Sequence, residues 1–323
     1  MKALFFEKYG NPDILQIKEI PSKEPTKSQV LIEVKATAVN DFDWSLVRGK
    51  PGLYRLMFGF PKPKMNVPGM EVAGVVLKCG PEATKFKPGD RVFGDTSDHE
   101  FGSFAEQFTV SEEALHAMPE EMSFTDAATI PHAGLLALQG FQMAGLGESK
   151  KVLINGAGGG VGAFAIQLAK QANAHVTGVD SSEKLASLKA LGCDEGIDYT
   201  KQDFTRSGEK YDVILDCKTK RPPRAFARSL NKGGAYITVG GDLARLLQVA
   251  VGGKIWSLFS SKKLNVLALK PNKELDRLSG MYKDGLLQCL VDGPYPMKDA
   301  AKFITFFGEA KHQGKVVLVP DFE

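Results

Sequence analysis

Apolar and polar positions change rhythm twice along this chain. Up to Pro119 the apolar runs are short and interleaved with polar residues, at 30–34, 71–77 and 104–110. Pro51-Gly52, Pro68-Gly69 and Pro88-Gly89-Asp90 punctuate them. Runs of that kind between turn-forming pairs predict strands, here assembled into a partly closed β-structure. Beyond Pro119, Ser123-Phe-Thr-Asp126 has the spacing of a helix cap and opens an Ala-rich segment. Continuous apolar runs then recur at 152–154, 176–179, 213–215, 236–239 and 266–269, with helix-like stretches between most of them. Strands apolar on both faces that alternate with helices predict a parallel sheet covered on both sides. From Pro271 the pattern shifts back: Asn272-Lys-Glu-Leu275 reads as a helix start, and 286–291 and 315–319 read as strands. The expected organisation is an α/β chain, with one β-rich domain from 1–122 and 271–323 and an inserted parallel-sheet domain at 123–270.

The sharpest local feature follows the first of the later strands. Lys151-Val-Leu-Ile-Asn155 runs directly into Gly156-Ala-Gly-Gly-Gly-Val-Gly162. Val161, Phe164, Ala165, Leu168, Ala169 and Ala172 then recur with the period of one helix face. Strand, glycine turn and helix in this order let backbone N–H groups approach a pyrophosphate, and the helix N-terminus adds partial positive charge. In register the fingerprint is Ala157-x-Gly159-x-x-Gly162. Ala157, Gly159, Gly160, Val161 and Gly162 are therefore the expected cofactor contacts, with Ala157 where the first glycine usually stands. Asp180 lies 21 positions after Gly159, near the ~20 at which a carboxylate meets the adenosine ribose. That acid suits the 2′-hydroxyl of NADH, whereas Ser181, Ser182 and Lys184 suit the 2′-phosphate of NADPH. Helix capping by Asp180 or Ser182 is the plain alternative, so the cofactor is read as NAD(H) or NADP(H). Asp216, Gly240 and Gly241 end or follow later apolar runs, where open α/β sheets bind ligands, and join the expected contacts. An ordinary turn accounts for Gly240-Gly241 equally well. A domain binding S-adenosylmethionine carries a similar acid, but the long β-rich half before the turn fits it less well.

Charge and composition narrow the class. Among 323 residues, 41 basic and 38 acidic side chains give a net charge of +3, mixed along the whole length. A nucleic-acid binder concentrates a basic excess, so no such partner is expected. With 43% hydrophobic and 24% charged residues, the chain can bury a core without staples. Cys79, Cys193, Cys217 and Cys289 form no C-x-x-C pair, which argues against a structural zinc lobe and for free thiols. The N-terminal MKALFFEKYG lacks a signal peptide's apolar run, and no uninterrupted apolar stretch is long enough to span a bilayer. A cytoplasmic setting is expected.

Taken in order, several motifs resemble the medium-chain dehydrogenase/reductase superfamily over nearly the whole length. They are Asn40-Asp-Phe-Asp-Trp44, Pro68-Gly-Met-Glu-Val-Ala-Gly74, Lys87-Pro-Gly-Asp-Arg-Val-Phe-Gly94, Gly102-Ser-Phe-Ala-Glu106, the 157–162 turn and Gly314-Lys-Val-Val-Leu318. The set looks most like the zeta-crystallin-like quinone oxidoreductase branch. The resemblance implies a GroES-like β domain made from both chain ends, an inserted Rossmann domain and a cofactor in the cleft between them. Zinc alcohol dehydrogenases of the superfamily place Cys where Asn40 stands and His where Met70 stands. Neither Asn nor Met is a usual zinc ligand, so a zinc-free enzyme is implied. Without a Lewis acid an alkoxide is hard to stabilise, whereas hydride delivered to a quinone or an α,β-unsaturated carbonyl spreads its charge into a phenolate or enolate. The implied activity is direct hydride transfer from NAD(P)H to such small molecules. The rival readings are an alcohol dehydrogenase or aldehyde reductase, and a cofactor-binding structural or regulatory protein with little turnover.

Asn40 is the expected catalytic residue, carried over from the branch's N-x-x-D motif; a loop-stabilising asparagine is the alternative. Trp44 and Tyr54 are the expected substrate contacts, with core packing a competing role for Trp44. Ser45 stands where some relatives carry Tyr, and Leu136 where many carry Thr, so two family hydroxyls are missing. Lys315 is a further expected cofactor contact, in competition with a solvated surface lysine. His132 reads as structural rather than catalytic. The stretch 50–64 reads as a lid over a flat substrate or as a surface loop. The apolar stretch 243–264 carries Arg245, Lys254, Lys262 and Lys263; it reads as a helix packed on its own domain or on a second subunit rather than on a membrane surface. Relatives are often dimers, so a homodimer is expected by analogy.

Overall fold

The computed structural model describes the backbone of all 323 residues and every side chain except those of residues 254 and 257–259. Lys254, one of the cations of the 243–264 segment, thus lies outside the described side chains. The chain packs as two compact units: Met1–His132, Pro271–Lys283 and Cys289–Glu323 form the first, and Ala133–Lys270 with Asp284–Gln288 the second. The first break falls at 132/133 rather than 122/123, near the start of the helix Ile130–Ala144.

The first unit is organised by one long strand. Gln29–Ala38 pairs antiparallel with Glu71–Cys79, Gln107–Ser111 and Lys315–Val319. Arg91–Asp95 extends the sheet beyond Glu71–Cys79, and Val291–Pro296 lies parallel to Lys315–Val319 at the other side. β-Branched side chains at Val30, Ile32, Val34, Val72, Val76, Val92 and Val110 fill the core, which is where such residues fit a pleated surface best. Gly74 sits against the bulge in the long strand; a Cβ there would lie 2.2 Å from the Glu33 carbonyl. Two expectations shift. The 104–110 run becomes a strand only at Gln107, and 286–290 is irregular, the strand forming at Val291–Pro296 instead.

In the second unit six parallel strands lie in the order Glu195–Asp198, His175–Asp180, Lys151–Asn155, Tyr211–Asp216, Leu230–Thr238, Lys263–Val266. In chain order this is 3-2-1-4-5-6, the Rossmann arrangement. The third strand was not among the expected runs, and the sixth ends at Val266 rather than beginning there. The helix Gly160–Gln171 buries residues 162–169 on the sheet. The helix Leu243–Phe259 contributes Val249 to the core but leaves Leu247, Val251, Ile255 and Trp256 exposed. Among the described residues no helix is long and apolar enough to cross a membrane.

Candidate active site

The glycine turn follows the first Rossmann strand, beside the point where the strand order reverses, which is where ligands of this fold bind. Gly156 makes the tight turn with φ +86°, and a Cβ there would lie 2.8 Å from Lys218. The turning glycine therefore stands one position before Ala157. Ala157 itself is buried and donates its N–H to the Val179 carbonyl at 3.2 Å. At Gly162 a Cβ would sit 2.4 Å from both Cα and O of Ala157, so the helix can lie this close only without a side chain. Residues 159–161 form a half-exposed tip. The first intrahelical bond runs from Ala163 N to Gly159 O at 2.9 Å, so the N–H groups of Gly160, Val161 and Gly162 precede it and face outward as donors.

Asp180 braces this turn. Its Oδ2 accepts Gly158 N–H at 2.8 Å and its Oδ1 accepts Ser181 N–H at 2.9 Å, while the Lys184 ammonium stands 3.7 Å away. Lys184 also lies across Gly158, its Cδ 2.6 Å from where a Cβ would be. The expected contacts at 157–162, Asp180 and Lys184 thus come together. Ser182 is engaged elsewhere: its hydroxyl donates to Asp198, and that bond, with those from Thr200, holds the Asp198 carboxyl well below the usual range. Asp216 requires a correction. It is fully buried and accepts bonds from Tyr236 Oη (2.7 Å), Asn155 Nδ2 (2.7 Å) and Lys218 N (3.0 Å). Burial pushes its carboxyl up. It ties strands together inside the sheet instead of meeting a ligand. The Gly240 carbonyl accepts the Thr219 and Thr238 hydroxyls at 2.7 and 3.0 Å, and Gly241 turns with φ +122° against Thr219.

The first unit carries a separate buried polar chain. Asn40 N–H donates to Asp43 Oδ2 at 2.9 Å, starting the helix Asp41–Arg48, and Asp43 Oδ1 accepts Gly69 N–H at 2.8 Å. Burial pushes the Asp43 carboxyl up to about 7 against the pull of those bonds and of Lys315. Asn40 Oδ1 accepts the Lys315 ammonium, and its Nδ2 donates to Glu71 Oε2 (2.8 Å) and the Ala38 carbonyl (3.2 Å). Lys315 also stands 2.8 Å from Glu71 Oε2, with 6% and 0% side-chain exposure for the pair. Lys315, expected as a cofactor contact or a solvated surface lysine, is a buried cation holding Asn40 and Glu71. Asn40, expected as catalytic, has both ends of its amide engaged.

The chain continues to a histidine. Glu71 Oε1 accepts His132 N–H at 2.7 Å, and His132 Nδ1 pairs with Asp95 Oδ2 at 2.8 Å. Burial would raise the Asp95 carboxyl, but His132 and the Ser97 bonds outweigh it and hold the group below its ordinary value. His132 Nε2 has no hydrogen-bond partner among the described residues, and the ring is 15% exposed. Around it lies an aromatic cluster: Phe42 is 6.4 Å from His132 and Phe101 and 6.3 Å from Tyr54, centre to centre. Tyr54 is thus in the cluster. Trp44 is not; it packs beside Gly308 of the helix Ala300–Gly308, under the Arg48 guanidinium. Phe42, Phe101 and the His132–Asp95 pair were missing from the expected site. Phe42 lies inside the Asn40–Trp44 motif and was the one legible locally.

Residues 26–120 match the alcohol dehydrogenase GroES-like domain, and residues 191–318 match the family described as zinc-binding dehydrogenase. The chain is 31% identical to a chloroplast envelope quinone oxidoreductase homolog of Arabidopsis thaliana, over 99% of its own length and 98% of that protein's. This chain belongs to the medium-chain dehydrogenase/reductase superfamily. A second member from the same plant, an NADPH-dependent alkenal/one oxidoreductase, is 31% identical over 99% of this chain and 80% of its own. The structure of the quinone oxidoreductase from Coxiella burnetii superposes with a TM-score of 0.88 at 27% identity, covering 99% of both chains. Within the superfamily the chain groups with the quinone oxidoreductases.

Zinc-binding members of the superfamily pose the question of a metal. Here Asn40 turns its amide oxygen to an ammonium, Met70 is a fully buried apolar side chain, and Glu71 carries Lys315. A divalent ion brought to that carboxylate would confront the lysine cation, and amide and thioether are not zinc's donors. These residues do not fit a zinc ion.

Proposed function

We propose that this medium-chain dehydrogenase/reductase reduces quinones or α,β-unsaturated carbonyls with NADPH as donor. The observation that carries the reading is the buried Lys315 ammonium held between Asn40 and Glu71. A fixed cation already neutralised by a carboxylate gives an alkoxide little help, so the site suits acceptors whose own conjugation disperses the charge. NADPH, when bound, supplies the hydride. The N–H groups of Gly160, Val161 and Gly162 receive its pyrophosphate, and Asp180 and Lys184 hold the turn in shape for it. NADPH is preferred to NADH because both Asp180 oxygens already accept backbone N–H groups, and because one 31% identical relative is named for NADPH.

Phe42, Tyr54 and Phe101 offer ring faces to a flat conjugated acceptor. Reduction also consumes a proton; in this reading His132 relays it from water through Nε2 to the reduced acceptor, and the ring returns to the neutral form with its Nδ1–H on Asp95. Asn40 acts as a positioning residue that joins Lys315 to Glu71. The exposed stripe Leu247, Val251 and Ile255 supports a homodimer, which light scattering of the wild type and Val251→Asp would test. A cytoplasmic location is also part of the proposal, against relatives named for chloroplasts and mitochondria; imaging a fluorescent fusion tests it.

The deciding experiment is oxidation of NADPH and NADH by chelator-treated protein with and without 9,10-phenanthrenequinone. Quinone-dependent oxidation, faster with NADPH, is expected. Nucleotide binding without oxidation in the presence of quinones and enones would overturn the reading.

A further inference from the structure

The loop around the helix Leu53–Phe58 has two apolar faces, and one of them covers nothing. Tyr54 and Phe58 stack on each other at 5.8 Å and turn inward, where Phe58 joins Phe6, Leu46 and Val47 in a buried cluster. On the opposite side Leu53, Leu56 and Met57 follow the i, i+3, i+4 spacing of one helix face, Phe60 lies just past the Gly59 that ends the helix, and the four are 53, 73, 63 and 74% exposed. The loop is clipped to the unit from within. Tyr9 Oη donates to the Gly59 carbonyl at 2.7 Å, Arg55 Nε to the Gly49 carbonyl at 3.1 Å, and Lys64 N–H to the Phe58 carbonyl at 2.7 Å. The outward face is thus presented on a fixed base.

The charge around it has one sign. From Trp44 to Met70 there is no acidic residue, while Arg48, Lys50, Arg55, Lys62 and Lys64 are all basic. Lys50, Lys62 and Lys64 are exposed and make no ion pair among the described residues. The acids at the border are Glu7, which lies within reach of Lys62 but pairs with Lys18 at 2.8 Å, and Asp41 at the start of the neighbouring helix. Exposed apolar side chains ringed by unpaired lysines have the chemistry of an element that lies on an anionic lipid surface, apolar groups in the acyl boundary and ammonium groups at the phosphates.

We infer that residues 50–64 form a docking surface for an anionic membrane, with Leu53, Leu56, Met57 and Phe60 inserting and Lys50, Lys62 and Lys64 contacting lipid phosphates. The inference does not rest on the proposed activity, because the inserting side chains take no part in the active site described above. Flotation of the full-length protein with phosphatidylcholine vesicles, with and without phosphatidylglycerol, tests it. Binding is expected only to the anionic vesicles. At about fivefold in partitioning per lysine near the surface, Lys62→Glu/Lys64→Glu should lower it more than about twentyfold. Leu56→Asp/Met57→Asp should abolish it, with quinone reduction in solution unchanged for both variants. High salt should weaken the wild-type interaction. No flotation of the wild type, or equal flotation on neutral vesicles, would overturn the inference. So would conversion of a solution dimer to a monomer by Leu56→Asp/Met57→Asp, which would assign the face to a second copy of the chain.

Discussion

Position 162 leaves no room for a methyl group between the helix and the turn before it. Because a Cβ there meets the Ala157 backbone at 2.4 Å, Gly162→Ala must push the helix away from the strand, at a cost of about 1–3 kcal/mol. NADPH affinity should fall about tenfold or more by fluorescence titration, and unchanged affinity would remove the pyrophosphate from this turn. His132 makes a second case. If Nε2 delivers the proton, His132→Gln should lower kcat about a hundredfold or more with KM little changed; a loss confined to stability would make the residue structural. The pH dependence has a definite sign. Asp95 is held below its ordinary value, so its contribution to stability is complete above about pH 4 and disappears as pH falls through the lower folded value. The melting difference between wild type and His132→Gln should therefore be larger at pH 6 than at pH 3. These roles were not legible locally because the partners are distant in sequence: Asp95 lies 37 positions before His132, and Asn155 61 before Asp216. A polar residue at a strand end looks alike whether it faces a ligand or a buried tyrosine.

Strands and helices were legible wherever burial made the pattern continuous, and lost where burial was partial. Lys151–Asn155, His175–Asp180 and Tyr211–Asp216 are covered on both faces and stand out as apolar runs. Glu195–Asp198 is the edge of the same sheet with only Asp198 buried, so Ile197 alone gives too little signal. The tail strand Lys315–Val319 was readable, but not its polar load. Its first residue joins three strands, reaching Asn40 just after Gln29–Ala38 and Glu71 at the start of Glu71–Cys79. Removing one partner of a buried pair leaves a charge uncompensated, at about 3–5 kcal/mol. Lys315→Met should cost about that much in urea unfolding, and Lys315→Met/Glu71→Gln should recover a large part. Equal losses in the two variants would mean that the lysine's packing, and not the ion pair, holds the strands.

At the scale of the whole molecule each unit has buried apolar clusters of its own among the described residues, those of the first unit around the antiparallel sheet and that of the second around the parallel sheet. Multi-domain chains of this kind depart from two-state unfolding, so calorimetry should resolve two transitions. Each has its own handle. Gly162→Ala should lower the transition of the second unit, and Lys315→Met that of the first. NADPH binds only the native second unit in the proposed reading, and a ligand at a hundred times its Kd adds about 2.7 kcal/mol to the form that binds it. For a unit of this size that moves the midpoint by about 5–15 °C. The transition lowered by Gly162→Ala should therefore rise with NADPH in the wild type and rise less in the variant. The transition lowered by Lys315→Met should respond to NADPH alike in both. If NADPH instead raised the Lys315→Met-sensitive transition and left the other in place, the nucleotide would be held by the β-rich unit, and the glycine turn would be a packing device without a ligand.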